Sequence, residues 1–242
     1  MPNYELLNNI DHKDVKVITD RSARYGDNVH CVMTFPTEFR RIQSCYPIFF
    51  QKDANTGKFF PLALLGFEEG ENLFLTEAGW DANYVPLMIQ RHPFLIGYQE
   101  DAEAPEGKRP VVSIDMDSPR VSATEGEAVF LPHGGTSDFL TAMTDVLEEI
   151  QVGHQMNEAF INALLEHNLI ESVSMEIELN DGSKRQLLGL YTINEERLDQ
   201  LDVEALGKLQ KLGFLLPVYM ILASLSSFRT LIDKRNERLE AA

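Results

Sequence analysis

The chain has 242 residues, of which 44% are hydrophobic and 24% charged, with a formal net charge of −17. That length allows one sizeable core or two small lobes, and the balance is that of an ordinary globular chain. A field so negative repels phosphate backbones, so nucleic-acid binding would need a local basic patch, and the visible cluster, Lys234, Arg235 and Arg238, reads as the solvated end of a terminal helix.

Residues 1–30 are polar apart from an alternating patch, Val15-Lys16-Val17-Ile18, which predicts a short edge strand. Tyr25 to Asn28 is a turn, and Val29 to Met33 a second strand. Phe35-Pro36-Thr37-Glu38-Phe39 opens a helix near Pro36 or Thr37, with Phe39, Ile42 and Cys45 or Tyr46 on one face. Pro47 to Phe50 and Phe59 to Phe67 form an apolar hairpin around the polar turn Ala54-Asn55-Thr56-Gly57. Glu68 to Asn72 is a further turn and Leu73 to Leu75 a third strand. Val85 to Arg91 is a short helix ended by Pro93, and Phe94 to Tyr98 a buried strand.

Residues 99–137 read as the loosest region, mobile loops with one short strand, Val111 to Ile114. A helix capped by Ser137 or Asp138 runs to about Val152, and a second covers about Asn157 to Asn168. Val173 to Leu179 alternates cleanly and returns, through Asn180-Asp181-Gly182-Ser183, along Gln186 to Ile193. Asn194 caps a segment through Leu198, Val203 to Leu212 is a helix stopped by Gly213, and a long helix begins near Pro217.

The sum is an α+β fold, with antiparallel β-hairpins packed against helices and a helical C-terminal part. It is read as a single domain, 1–242, with sub-lobes of about 1–135 and 136–242 as its natural division. The order helix, hairpin, Leu-Gly-aromatic or aliphatic, acidic turn, leucine starts once at Thr37 and again at Asn157, which suits an internal helix–hairpin duplication. The same pattern also arises from any helix followed by a hairpin.

The two cysteines, Cys31 and Cys45, form no Cys-x-x-Cys and read as free thiols of a reducing compartment. The N-terminal segment lacks the basic and apolar regions of a signal peptide. The longest apolar run, Phe214 to Leu225, is short of the ~20 residues that cross a bilayer. A cytoplasmic protein without a membrane span is expected.

The six histidines form neither His-x-His nor His-Glu-x-x-His. Asp115-Met116-Asp117 lacks the glycine and terminal glutamate of a calcium loop. Pro132-His133-Gly134-Gly135 precedes a helix but lacks the Walker lysine. No serine or cysteine has the context of a nucleophile, so no catalytic residue, metal ligand or cofactor is assigned. One group is left: Trp80, Tyr84, Arg91, His92 and Tyr98. Aromatics with an Arg and a His can line a pocket for a peptide or an aromatic ligand. Core and rim packing is the alternative for the same residues.

Several motifs together carry a family resemblance. They are Tyr46-Pro47-Ile48-Phe49, Ala63-Leu64-Leu65-Gly66-Phe67, Gly70-Glu71-Asn72-Leu73-Phe74, Trp80, Tyr84-Val85-Pro86 and Arg91-His92-Pro93-Phe94. Ser113-Ile114-Asp115, Asp181-Gly182, Leu188-Gly189-Leu190-Tyr191 and Ala223-Ser224-Leu225 extend them over nearly the whole chain. In these the chain resembles the SapC family of bacterial proteins, not the peptide-transport permease of the same name. Two stretches depart from the family pattern: residues 99–110 are longer and more acidic, and His133-Gly134-Gly135 stands where an acidic turn is expected.

The family's members are commonly encoded near outer-membrane receptors and flavin-dependent halogenase-like proteins. That association implies a non-enzymatic accessory or binding protein of a bacterial modification or uptake system, with a halogenase-like protein among its candidate partners. The ligand would be a protein, a peptide or a small molecule. The alternative is a metal- or cofactor-assisted enzyme using His92, Asp115 or His133. A third is a homo-oligomer joined through the apolar C-terminal helix.

Overall fold

Short polar side chains at the turns decide where the strands begin and end. The computed structural model describes residues 2–103 and 107–241. β1 (Tyr4–Leu6), β2 (Lys16–Val17) and β3 (Cys31–Met33) are brief, and α1 (Phe39–Ile42) is one turn of helix. The first hairpin follows, β4 (Ile48–Lys52) and β5 (Phe59–Leu64). Asp53 closes its tip, because its Oδ1 accepts from the Asn55 and Thr56 amides and from the Thr56 hydroxyl. In place of a strand over Leu73 to Leu75, the chain makes a small ladder, β6 (Leu75–Thr76) with β7 (Gly79–Trp80).

α2 (Leu87–Gln90) leads into β8 (Phe94–Glu100), which pairs antiparallel with β9 (Lys108–Asp115). Gln99 and Glu100 therefore pair with Arg109 and Lys108 as strand ends where loose loop was expected; residues 104–106 of that stretch lie outside the described residues. Lys108, Arg109 and Pro110 read as loop chemistry, yet β1 covers only residues 113–115 of β9, so Pro110 sits on a free edge where its missing N–H costs no ladder bond. β10 (Val121–Ser122) and β11 (Glu127–Ala128) flank β2 on its two sides. Gly126 is required there: a Cβ would lie 2.3 Å from the Val17 carbonyl oxygen.

The two helices expected over 138–152 and 157–168 are one, α3 (Asp138–Glu166), of 29 residues. Gly153 lies inside this helix. It is a notch, since a Cβ at that position would lie 2.5 Å from Cγ of Phe35. β12 (Ile170–Glu178) and β13 (Lys184–Ile193) form the second long hairpin, with a bulge between Val173 and Met175. α4 (Glu195–Asp199) and α5 (Val203–Lys211) are capped by Asn194 and Asp202, whose side chains accept the Arg197 and Ala205 amides. α6 (Leu215–Ser224), a 3₁₀ turn (Leu225–Ser227) and α7 (Phe228–Ala241) complete the chain.

These elements form two compact units, each made of two chain segments. The smaller comprises residues 1–27 and 87–151, and the expected lobe boundary near residue 135 falls inside it. Its sheet has the order β1-β9-β8, with the small sheet β10-β2-β11 beside it in sequence. Val17, Phe94, Ile114, Val129, Phe130, Leu140 and Leu147 are its buried core, the last two from the first half of α3.

The larger unit comprises residues 28–86 and 152–242. Its sheet has the order β12-β13-β4-β5-β3, all neighbours antiparallel, so the two hairpins lie side by side. The Leu-Gly pairs of the sequence echo do not coincide: Gly66 follows β5, whereas Gly189 is inside β13. Phe49 and Phe50 point to opposite faces. Phe50 meets Phe160 of α3, which also meets Phe39 and Phe214, with ring centroids 5.4–6.4 Å apart. Phe49 meets Phe228 of α7 at 6.2 Å. Helices thus cover both faces, and the Ile48 amide donates to Ser224 Oγ at 2.8 Å, tying β4 to the end of α6. By length and composition alone, the helical run Leu215–Ala241 is apolar enough to cross a membrane. In this fold its Val218, Ile221 and Leu231 are fully buried.

Gly153→Ala separates helix propensity from packing. Alanine in a helix interior gains about 1 kcal/mol over glycine. The clash with Phe35 costs about 1–3 kcal/mol. The net expected in urea denaturation is a loss of about 0–2 kcal/mol; a midpoint raised by the full propensity gain would disprove the close contact.

Candidate functional site

Of the five residues singled out from the sequence, Trp80 and Tyr84 belong to the larger unit, and Arg91, His92 and Tyr98 to the smaller. In the larger unit Trp80 Nε1 donates to the Tyr46 hydroxyl at 2.8 Å, and that hydroxyl donates to the Tyr84 carbonyl. The Tyr84 hydroxyl donates to Glu38 Oε1 at 2.9 Å, and Thr34 Oγ1 to Glu38 Oε2 at 2.7 Å. Arg41 lies over the Tyr84 ring, 5.1 Å from its centroid. Glu38 and Tyr46 are wholly buried, and burial pushes the Tyr46 phenol up, against the lowering effect of the Trp80 bond. The network holds the indole and both tyrosines in one geometry. Glu38, Thr34 and Tyr46 were not singled out from the sequence. A glutamate at the opening of a short helix reads as a solvated cap, and nothing local shows that it is buried.

In the smaller unit Pro93 prevents α2 from continuing, so Arg91 and His92 form the turn into β8. The turn is closed on three sides. The Phe94 amide donates to the Arg91 carbonyl at 2.7 Å, the Asp115 amide to the Pro93 carbonyl at 3.1 Å, and Arg91 Nη1 to the Phe94 carbonyl at 2.9 Å. Arg91 Nε is buried without a hydrogen-bond partner.

Two further guanidiniums converge here. Arg21 Nη1 donates to the Ile89 carbonyl at 3.0 Å and lies 3.6 Å from Asp27 Oδ1. Arg120 is only 1% exposed and its partner Asp27 2%, with Nη2 to Oδ2 at 2.6 Å. Arg120 Nη1 also donates to the carbonyls of Ile18 and Asp20, its face lies over Tyr25, and its Nε has no partner. Asp27 is the one carboxylate in ion-pair contact with this group among the described residues. Arg21, Arg120 and Asp27 were missed in the sequence because they are far apart in the chain; Tyr-Gly-Asp and Ser-Pro-Arg are ordinary turn chemistry.

The electrostatics follow. Burial lowers the Arg21 guanidinium from its ordinary value, and Arg120 lowers it further, against the pull of Asp27. Burial likewise lowers Arg91. The His92 imidazole is pushed down to about 4, by desolvation first and then by Arg91, Arg120 and Arg21, with Asp27 opposing. His92 is exposed as a residue, so the guanidinium field is the sturdier of these causes. At neutral pH the ring is therefore uncharged. A ring titrating so far below neutrality is a weak general base and almost never an acid. Such a ring is poorly suited to moving protons at neutral pH.

Tyr98 stands apart from this turn. It is four residues beyond Phe94 in β8, about 13 Å along the strand, opposite Pro110 and 63% exposed. Among the described residues no hydrogen bond joins His92, Asp115 and His133, and no group of three or more His, Cys, Asp or Glu is placed to hold a metal ion.

The family model described as SapC matches residues 7–231 of the chain. No curated protein and no solved structure matches the chain.

Two outcomes test the site. Asp27→Ala strands Arg120 without its carboxylate and is expected to destabilise the protein by about 3–5 kcal/mol in chemical denaturation. A loss below about 1 kcal/mol would mean that the Arg120 charge is met elsewhere. For His92 the folded value lies below the unfolded one, so the unfolded chain takes the proton first. The stability it contributes is present above about pH 6.5 and is lost as pH falls toward 4. An NMR titration of the His92 ring should show a midpoint near 4; a midpoint at the ordinary histidine value would remove the cationic field.

Proposed function

The chain belongs to the SapC family, and from that premise we propose that it is a non-enzymatic binding protein. It acts as an accessory of a bacterial modification or uptake system in the cytoplasm, recognising a protein, peptide or small ligand through the Arg91–His92 turn. The observation that carries this reading is the turn itself. Its backbone is held by hydrogen bonds before any ligand arrives, its cations outnumber the carboxylates that touch them, and its histidine is tuned away from proton transfer. A pre-ordered turn loses little conformational freedom on binding, which favours recognition. The family association makes a flavin-dependent halogenase-like protein a fitting partner. Trp80 and Tyr84, fixed by the Glu38–Tyr46 network, supply a second ordered surface in the larger unit.

The test is native mass spectrometry of the full chain purified gently from its host, as wild type and as Arg91→Ala. The wild type should carry a protein, peptide or small molecule that the variant loses. Bare wild-type protein, or the same complex in both, would overturn the reading.

A further inference from the structure

One of the two cysteines, which has no nucleophile's context in the sequence, acquires one in the fold of the larger unit. Cys31 opens β3, and its Sγ lies 3.5 Å from Nε2 of His30, the residue before it. The His30 carbonyl accepts the Leu65 and Gly66 amides, at 2.6 and 2.9 Å, so the backbone that carries the ring is fixed. A thiol and an imidazole at hydrogen-bond distance are the pairing of a nucleophile with its base. Cys45 differs: the Ser44 hydroxyl lies 3.6 Å from its Sγ, and among the described residues no hydrogen bond joins it to a histidine. The pair belongs to the larger unit and owes nothing to the Arg91–His92 turn of the smaller.

Both residues line a cavity of about 320 Å³, at the lower end of the range for small-ligand pockets, about 300–1,000 Å³. The strand register explains its floor. Cys31 pairs with Leu64, and Leu190 with Gln51, which pairs in turn with Phe60, so Cys31, Leu62, Leu64 and Leu190 share one face of the sheet. These three leucines are buried, whereas Leu188, on the same cavity, is 66% exposed. Among the lining residues only His30 can carry a positive charge and only Cys31 a negative one. Apolar surface beside the thiol favours an alkyl chain over a charged reagent. Burial pushes the Cys31 thiol up, so at neutral pH it keeps its proton until a base removes it. His30 Nε2 is the base within reach when the ring carries its proton on Nδ1.

We propose that Cys31 is an acyl-acceptor site, at which a medium- or long-chain acyl thioester transfers its acyl group to the thiol while the chain lies along the leucine floor. Cys31 Sγ attacks the thioester carbonyl as His30 Nε2 takes the thiol proton. The bond from that carbonyl to the donor's sulfur breaks, the departing thiolate takes the proton back from His30, and Cys31 is left as a thioester. One thioester is exchanged for another, so no oxidant or reductant enters.

The experiment incubates the full chain with acetyl-, octanoyl- or palmitoyl-coenzyme A and follows intact mass, hydroxylamine lability and the labelled residue by peptide mass spectrometry. A single hydroxylamine-labile acyl group on Cys31 is expected, added at least tenfold faster from the octanoyl or the palmitoyl donor than from the acetyl donor. Cys31→Ser should lose it, Cys45→Ser should keep the wild-type rate, and His30→Gln should slow it at least tenfold. The pH profile separates proton transfer from mere placement. The wild-type rate should level off above the histidine range, while the His30→Gln rate should go on rising as the thiol ionises. Circular dichroism confirms that each variant is folded. No adduct on Cys31, equal labelling of Cys45, an acetyl donor as fast as the longer ones, or a His30→Gln rate and pH profile matching wild type overturns the proposal.

Discussion

The Asp27–Arg120 ion pair is the interaction on which the smaller unit depends. Its strands β2, β10 and β11 are two residues long, too short to hold a register by ladder bonds alone. Arg120 takes over that task by donating to the carbonyls of Ile18 and Asp20 and to the Asp27 carboxylate, so the segment after β2 is bolted to the turn after β9. Burying two charges is expensive, and it is tolerable here because most of their hydrogen-bonding groups are used. The same bolt sets Arg21 and hence the field at His92. Fold stability and the charge around His92 thus depend on one set of side chains.

The larger unit meets a related problem differently. Its sheet is covered by helices on both faces, and aromatic rings fill the contacts: Phe160 gathers Phe39, Phe50 and Phe214, and Phe228 receives Phe49 and Phe67. One set of polar groups in this apolar setting is linked internally, Thr34, Glu38, Tyr84, Tyr46 and Trp80, each bonded to the next or to backbone. Such a set adds orientation that apolar packing by itself lacks. The indole is therefore ordered from beneath, through its one polar atom.

Most acidic residues are on surfaces and hairpin edges, as with Glu176 and Glu178 on β12, where they pair with Lys184 or meet solvent. That arrangement discourages edge-to-edge pairing of an open strand.

The sequence by itself determined the α+β class, the hairpins β4–β5 and β12–β13 with polar turns at their tips, and the cap at Asn194. Each of these rests on chemistry between residues within a few positions of one another, which is what periodicity and turn composition report. The tertiary structure decided the rest. It made α3 one helix, because the glycine at 153 answers to Phe35 and not to its neighbours; it extended the short strand expected over 111–114 back to Lys108, by pairing it along β8; and it separated Tyr98 from the turn. It also built the cationic site, since Arg21, Asp27 and Arg120 meet only when the chain folds over nearly a hundred residues. Burial converts three unremarkable turn residues into an electrostatic device, and burial is a property of the whole fold that no local pattern carries.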